Sequence, residues 1–434
     1  MTERILEVFI NDRKIGALHE ANDLWRFDYE QAWANAGDGF DLSPALSRKT
    51  LSHLDGASLR TVQWYFDNLL PEEGMRTVLS KEANIPEADA FGLLARFGAE
   101  SAGSLILRAP DEPANPQAGL RVLPDHELHQ RILNLPRLPL SHHSPKRMSL
   151  AGAQHKLAVV YRAGTLYEPE PGAVSTHILK PNHPGQDYAC SVINEYFIMR
   201  LAKAIGLNAP PVHRHYCPSP VYLIDRFDRE QRGGSTQRLH MIDACQLLNK
   251  SRLFKYEQAS VETLAKVMPH IRTRTVARLA LFQWLVFNAL VGNGDNHLKN
   301  ISFMLSHEGV SLAPAYDLLS TTVYQTKALA AERAIWPNVE LALPLPGAQT
   351  FAQVDRQAIF EAGKMLGLTK DTATRELNRI VQRIAPEADA LITAISAENE
   401  QLPAQGRPSL GHEMRVLRAI RHIVIDGMVK QLAP

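Results

Sequence analysis

Seven consecutive residues, Gly294-Asp295-Asn296-His297-Leu298-Lys299-Asn300, place a carboxylate, an imidazole, an ammonium and two amides in one polar stretch directly after a long apolar run. Asp295 and Asn300 are spaced D-x-x-x-x-N. In that arrangement a carboxylate receives or orients the proton of an acceptor hydroxyl, while an amide oxygen five residues on holds Mg²⁺. The chemistry would be phosphoryl transfer, which needs the charge on a triphosphate neutralised and the acceptor oxygen held in line. The spacing is also ordinary turn vocabulary, because Gly, Asn and Asp cap helices and close Asx turns. His297 reads equally as a ring that fixes the loop and as one that meets a nucleotide.

A second acid has to arrive beside that loop. Ile301-Ser302-Phe303-Met304 and Val310-Ser311-Leu312 have the pattern of a hairpin, whose exit returns Ala315-Tyr316-Asp317 toward the loop and offers Asp317 as the metal-binding aspartate. Upstream, Ser149-Leu150-Ala151-Gly152-Ala153-Gln154-His155-Lys156 precedes a strand, and its small residues would let backbone N–H groups approach phosphates. It is neither a Walker A nor a GxGxxG pattern, and a plain β-turn accounts for it as well. Lys180 ends the strand His177-Ile178-Leu179-Lys180, and Glu195 lies on the next helix. A strand lysine with a helix glutamate clamps the α- and β-phosphates of a nucleotide in kinases, whereas singly they read as an exposed strand end and a solvated helix face. Asp225-Arg226-Phe227 stands where a β-rich half meets a helical half, as a seat for an adenine ring or simply a charged strand end.

The elements that would position these residues follow from periodicity. Leu6 to Ile10, Ile15 and Leu24 to Tyr29 alternate as a small antiparallel sheet, with a turn at Asn11-Asp12. Helical spacing follows through Leu59, Val62, Tyr65, Phe66 and Leu69, and then an apolar strand at Leu105-Ile106-Leu107. Between Pro110 and Pro145 five further prolines disfavour regular elements except a short helix around 127–133. Strands are expected at 156–162, 165–168, 176–180 and 221–227, and a helix at 191–205 stopped by Gly206 and Pro210-Pro211. After about residue 240 the chain reads as mostly helical, centred on an apolar helix over 275–290.

Composition limits the function. The 434 residues carry 47 Lys plus Arg against 46 Asp plus Glu, a formal charge of +1, so bulk charge does not favour nucleic acid or anionic membranes. Cys190, Cys217 and Cys245 form neither a disulfide framework nor a zinc pattern. The start lacks the apolar core of a signal peptide, and Leu279 to Val291 is too short to span a bilayer, so the expected location is cytoplasmic with no membrane role.

In Asp67-Asn68-Leu69-Leu70-Pro71, Ser149 to Lys156, Thr176 to Lys180, Asn194-Glu195-Tyr196, Arg226-Phe227-Asp228-Arg229, Gly294 to Ser302 and Ala315-Tyr316-Asp317, taken in order over nearly the whole chain, the sequence resembles the HipA-type serine/threonine kinases, toxins of bacterial type II toxin–antitoxin modules. The resemblance implies an α+β, protein-kinase-like two-lobed fold. Its parts would be a small N-terminal α/β subdomain at 1–109, a Pro-rich connector at 110–145, a β-rich lobe at 146–228 and a helical lobe at 229–434. It implies Asp295 as the catalytic residue, Mg²⁺ on Asn300 and Asp317, and ATP bound by Ala151, Gly152, Ala153, Gln154, His155, Lys156, Lys180, Asp225, Phe227, His297, Lys299, Asn300, Tyr316 and Asp317. Ser149 matches the family's inactivating autophosphorylation serine, where about two negative charges beside a phosphate pocket would repel ATP. His155 stands where the best-known members carry an acid, and Asp225 where a glutamate is common.

The same resemblance implies a helix-turn-helix, HipB-like antitoxin and a protein substrate, with an aminoacyl-tRNA synthetase among the family's targets. Asn338 to Phe351 contains no Lys or Arg, so operator DNA is expected to be met through the antitoxin. Two other readings are a non-catalytic co-repressor on a kinase-like scaffold and a lipid or small-molecule kinase. The absence of a basic membrane-facing cluster lowers the lipid reading, and the joint retention of Ser149, Lys180, Asp295, Asn300 and Asp317 argues against a dead site.

Overall fold

Alternating apolar side chains put Leu6, Val8, Leu18, Trp25 and Phe27 on one buried face of three antiparallel strands, Arg4–Ile10, Arg13–Ala21 and Leu24–Tyr29. Leu6 lies opposite Leu18 and Leu18 opposite Phe27, so the inward residues stack across the sheet. Ser52–Leu54 and Leu105–Arg108 complete the two edges. Helices Thr61–Asp67, Glu73–Ala83 and Ala90–Phe97 belong to the same region, with Phe66 and Phe91 meeting Phe27 and Trp25 at ring-centroid distances of 5.6 and 5.3 Å. This computed structural model describes residues 3–112, 118–148, 150–402 and 409–434.

The chain forms two compact units, neither continuous in sequence. The first is Met1–Lys180, Asp225–Phe254 and Ser302–Ala313; the second is Pro181–Ile224, Lys255–Ile301 and Pro314–Pro434. Besides the N-terminal sheet, the first unit holds the antiparallel strands Leu157–Arg162, Thr165–Pro169 and, as far as Lys180, His177–Pro181, with Leu157 opposite Leu179 and Val160 opposite Tyr167. The proline-rich stretch contributes more than the expected helix, Asp125–Leu133: Leu120–Val122 pairs with Thr165–Pro169. The region after 240 is also less purely helical than its composition suggests. His240–Asp243 pairs with Ser302–Ser306, which pairs with Gly309–Leu312, so the expected hairpin supplies two strands of a three-stranded sheet.

A buried carboxylate organises the polar centre of this first unit. Glu100 is fully buried and accepts from Lys146 Nζ (2.6 Å), Arg238 (2.9 Å), Arg229 (2.9 Å), Arg226 (3.2 Å) and Ser175 Oγ (2.7 Å). Arg226 makes two further bonds to Asp228, at 2.9 and 2.7 Å. Burial alone would raise the Glu100 pKa, and the surrounding cations override it and hold the group well below the usual glutamate range. The network joins the N-terminal region to the segment 226–229, so that segment is fixed at both of its arginines.

The second unit is mainly helical, built on Ser191–Ala204, Arg274–Val291, Arg356–Met365 and the 31-residue helix Lys370–Glu400. Within it, residues 212–216 pair antiparallel with 220–224, Val212 opposite Ile224. Among the described residues, no helix is long and apolar enough to cross a membrane.

Candidate active-site loop and its surroundings

The helix Arg274–Val291 buries Phe282, Leu285, Val286, Phe287 and Leu290, which makes it a rigid support. It ends at Gly292 with φ of +66°. A Cβ there would stand 2.0 Å from Thr322 Oγ1 and 2.7 Å from Val424 Cγ1, so only glycine both turns the chain and admits its neighbours. Thr322 then bonds the Gly292 carbonyl through its backbone N–H (3.1 Å) and its hydroxyl (3.0 Å).

From this stop the loop is pinned residue by residue. Gly294 N–H donates to Thr321 Oγ1 (2.7 Å), and Asp295 N–H to Asn293 Oδ1 (3.1 Å). The Asp295 carbonyl accepts from the His297 N–H (3.0 Å) and from the Asn300 side-chain amide (2.6 Å). Leu298 N–H bonds the Lys255 carbonyl at 3.2 Å. Asp295 and Asn300 thus face each other across a single short turn, Leu298–Asn300. The Asn300 nitrogen is committed to the loop, which leaves its carbonyl oxygen as the end able to meet a cation.

The return of residues 315–317 to this loop is also found. Tyr316 donates its hydroxyl to the Lys299 carbonyl (2.7 Å), and Ala315 N–H bonds the Asn208 carbonyl (2.7 Å). Asp317 adopts φ of +54°, the left-handed region that non-glycine residues seldom occupy. Just beyond it, Ser320 exchanges two bonds with the Asn194 side chain (2.8 and 2.9 Å), which ties the segment to the helix that carries Glu195. Glu195 is only 4% exposed, so the solvated-face reading is corrected.

One residue at this loop escapes sequence reasoning. Tyr256 donates its hydroxyl to Asp295 Oδ1 at 2.5 Å, and no motif or periodicity marks it.

The remaining candidates fall in the first unit. Lys180 is 6% exposed, which likewise excludes a free strand-end lysine. Gly152 has φ of +107°, and Lys156 Nζ donates to the Ala151 carbonyl at 2.6 Å, closing the stretch Ala151, Gly152, Ala153, Gln154, His155 and Lys156 on itself. The Gly152 carbonyl accepts from Glu72 N–H (3.3 Å), and Pro71 and Gly152 form a parallel bridge, so the Asp67 to Pro71 segment seats this loop. Asp225 Oδ1 lies 3.1 Å from His177 Nε2, Arg226 N–H bonds the Thr176 carbonyl (2.9 Å), and Phe227 is half-buried. Ser149 lies outside the described residues.

The donors fit the groups that the resemblance implies. Asn300 and Asp317 offer amide and carboxylate oxygens, the hard donors that Mg²⁺ takes. A loop of small residues that includes a positive-φ glycine is suited to close approach of phosphates.

Known proteins bear on the same residues. A family model described as HipA N-terminal domain matches residues 6–108, and one described as HipA-like C-terminal domain matches residues 148–390. The protein Y4mE of Sinorhizobium fredii is 34% identical over 403 residues, 89% of this chain and 92% of that protein. The serine/threonine-protein kinase toxin HipA of Shewanella oneidensis is 31% identical over 410 residues, 89% of this chain and 88% of that one. Among solved structures, the Shewanella oneidensis toxin–antitoxin complex of HipA, HipB and operator DNA contains a chain that superposes with a TM-score of 0.77 at 27% identity, covering 98% of this chain and 99% of that chain.

Proposed function

The chain belongs to the HipA family, and we propose that it is an ATP- and Mg²⁺-dependent serine/threonine protein kinase, acting as the growth-inhibiting toxin of a toxin–antitoxin module. The observation that carries this reading is the bond between the Asn300 amide and the Asp295 carbonyl (2.6 Å), which supports a fixed relation between a base and a metal-ligand residue. Mg²⁺–ATP, when bound, supplies the phosphoryl group and neutralises its charge. Asp295 orients the acceptor hydroxyl and takes its proton. Asn300 and Asp317 hold the metal through oxygen. Lys180 and the stretch from Ala151 to Lys156 hold phosphates, and Asp225 to Phe227 line the adenine side. His297, Lys299 and Tyr316 complete the nucleotide-binding set; the Tyr316 bond to Lys299 supports a role in shaping the loop.

The partner is a helix-turn-helix antitoxin of the HipB kind, and operator DNA is reached through it. The similarity to a chain from a HipA, HipB and operator DNA complex supports this. The protein substrate is a translation component such as an aminoacyl-tRNA synthetase, and autophosphorylation at Ser149 inactivates the enzyme. The cytoplasm is the compartment where these partners meet.

The test is intact mass after dephosphorylation and incubation with Mg²⁺–ATP, for wild type, Asp295→Ala and Ser149→Ala. One added phosphate in wild type alone is the expected result. No transfer in any sample, either to the chain or to protein in a cellular extract, with nucleotide still bound, would overturn the kinase reading in favour of a co-repressor scaffold.

A further inference from the structure

The contact between Tyr256 and Asp295 is built from several sides. Its hydroxyl donates to Asp295 Oδ1 at 2.5 Å, the length of a strong O–H···O⁻ bond. The Tyr256 ring meets His297 edge to face, with centroids 4.8 Å apart at 81°. Lys255 Nζ lies 4.9 Å from the centre of the same ring, and Lys255 is itself buried. The backbone is fastened as well, through the bond from Leu298 N–H to the Lys255 carbonyl (3.2 Å). Tyr256 is nevertheless 43% exposed, so the hydroxyl reaches the carboxylate from the solvent-facing side.

We propose that Tyr256 is a positioning residue for phosphoryl transfer, holding the Asp295 carboxylate in the orientation that receives the acceptor hydroxyl; this rests on the kinase reading above. A carboxylate on a short side chain turns about two torsions, and a base displaced by a fraction of an ångström loses much of its effect. The Tyr256 hydroxyl removes that freedom from outside, while the Asn300 amide fixes the same residue through its backbone. A tyrosine standing in for the acceptor would need to leave before each turnover. Tyr256 instead packs its ring on His297 of the loop itself, and its neighbour Lys255 accepts from the Leu298 N–H, so its anchors belong to the same loop as the base.

The test compares wild type with Tyr256→Phe, which keeps the ring and its contacts and loses only the hydroxyl. Single-turnover phosphate transfer, to the chain itself or to protein in a cellular extract, is followed as ATP is varied, with thermal unfolding measured alongside. The expected result is a maximal rate lowered by about tenfold or more, with half-saturating ATP and the melting temperature unchanged. A purely structural tyrosine would move the melting temperature, and a nucleotide contact would move half-saturation. Either of those patterns without the rate loss, or a rate that is unchanged or higher in Tyr256→Phe, would overturn the proposal while leaving the kinase reading intact. If wild type transfers no phosphate at all, both fall together.

Discussion

The side-chain amide of Asn300 donates to the backbone carbonyl of Asp295 at 2.6 Å, so the two residues with the D-x-x-x-x-N spacing are joined directly. The bond uses the nitrogen end of the amide. Asn300→Asp keeps an oxygen for a cation but sets a second acceptor against the Asp295 carbonyl. The expected outcome is a loss of phosphate transfer of about 100-fold, the scale set by a misplaced base, with nucleotide still bound. Phosphate incorporation measured beside fluorescent-nucleotide binding checks this, and a wild-type rate in Asn300→Asp would show that the donor end is dispensable.

Glu100 sits under Lys146, Arg226, Arg229 and Arg238 with no exposed surface. Glu100→Gln leaves these buried cations without their shared carboxylate and is expected to destabilise the protein by about 3–5 kcal/mol. Because the folded-state pKa lies well below 4.5, this stabilisation is complete above that value and fades as pH falls through the folded pKa. Chemical denaturation of wild type and variant at neutral pH, and again in acid, should show the gap narrowing in acid.

Why the sequence disclosed some of this and not the rest is a matter of what periodicity reports. The helix Arg274–Val291 and the strands around Leu157, Leu166 and Leu179 were legible because each declares its own burial through the spacing of its apolar residues. The Asp295 and Asn300 pair was legible because both residues lie in one short loop, close in sequence. Lys180 and Glu195 were ambiguous singly, since charge argues for exposure until a fold buries it. Glu100 and Tyr256 carried no signal. The partners of Glu100 lie 46 to 138 residues away, and Tyr256 reaches Asp295 over a separation of 39. Pairings at such distances are set by tertiary structure, to which local pattern is blind.

His240 gives a separate dependence on pH. Burial pushes its imidazole down to about 4, against a smaller upward pull from its bond to the Leu42 carbonyl. The neutral ring is satisfied by Ser104 Oγ (2.9 Å), Tyr65 Oη (3.2 Å) and Leu42 O (3.1 Å). As pH falls from 6.5 toward 4 the unfolded chain binds a proton that the folded one refuses, so stability falls in that window, by about 3 kcal/mol at its end. Most of this window lies above 4.5, where the Glu100 contribution is still complete, which separates the two. His240→Gln should be less stable at pH 7 and should lose most of the slope between pH 6.5 and 4, as read from urea midpoints.

Gly152 and Gly164 share positive φ, at +107° and +83°, and differ in what surrounds them. A Cβ at Gly164 would meet nothing within 4 Å, whereas one at Gly152 would stand 2.6 Å from Lys156 Nζ, the atom that closes the loop on the Ala151 carbonyl. Alanine at either position carries a backbone cost of about 1–3 kcal/mol. Only at Gly152 must the lysine also give up its place. Gly164→Ala is therefore expected to lower the melting temperature and leave nucleotide affinity unchanged. Gly152→Ala is expected to weaken Mg²⁺–ATP binding by about tenfold, the equivalent of 1.4 kcal/mol, for a comparable thermal loss. Titration calorimetry with a non-hydrolysable ATP analogue distinguishes the two, and equal affinities in both variants would remove residues 151–156 from the nucleotide site.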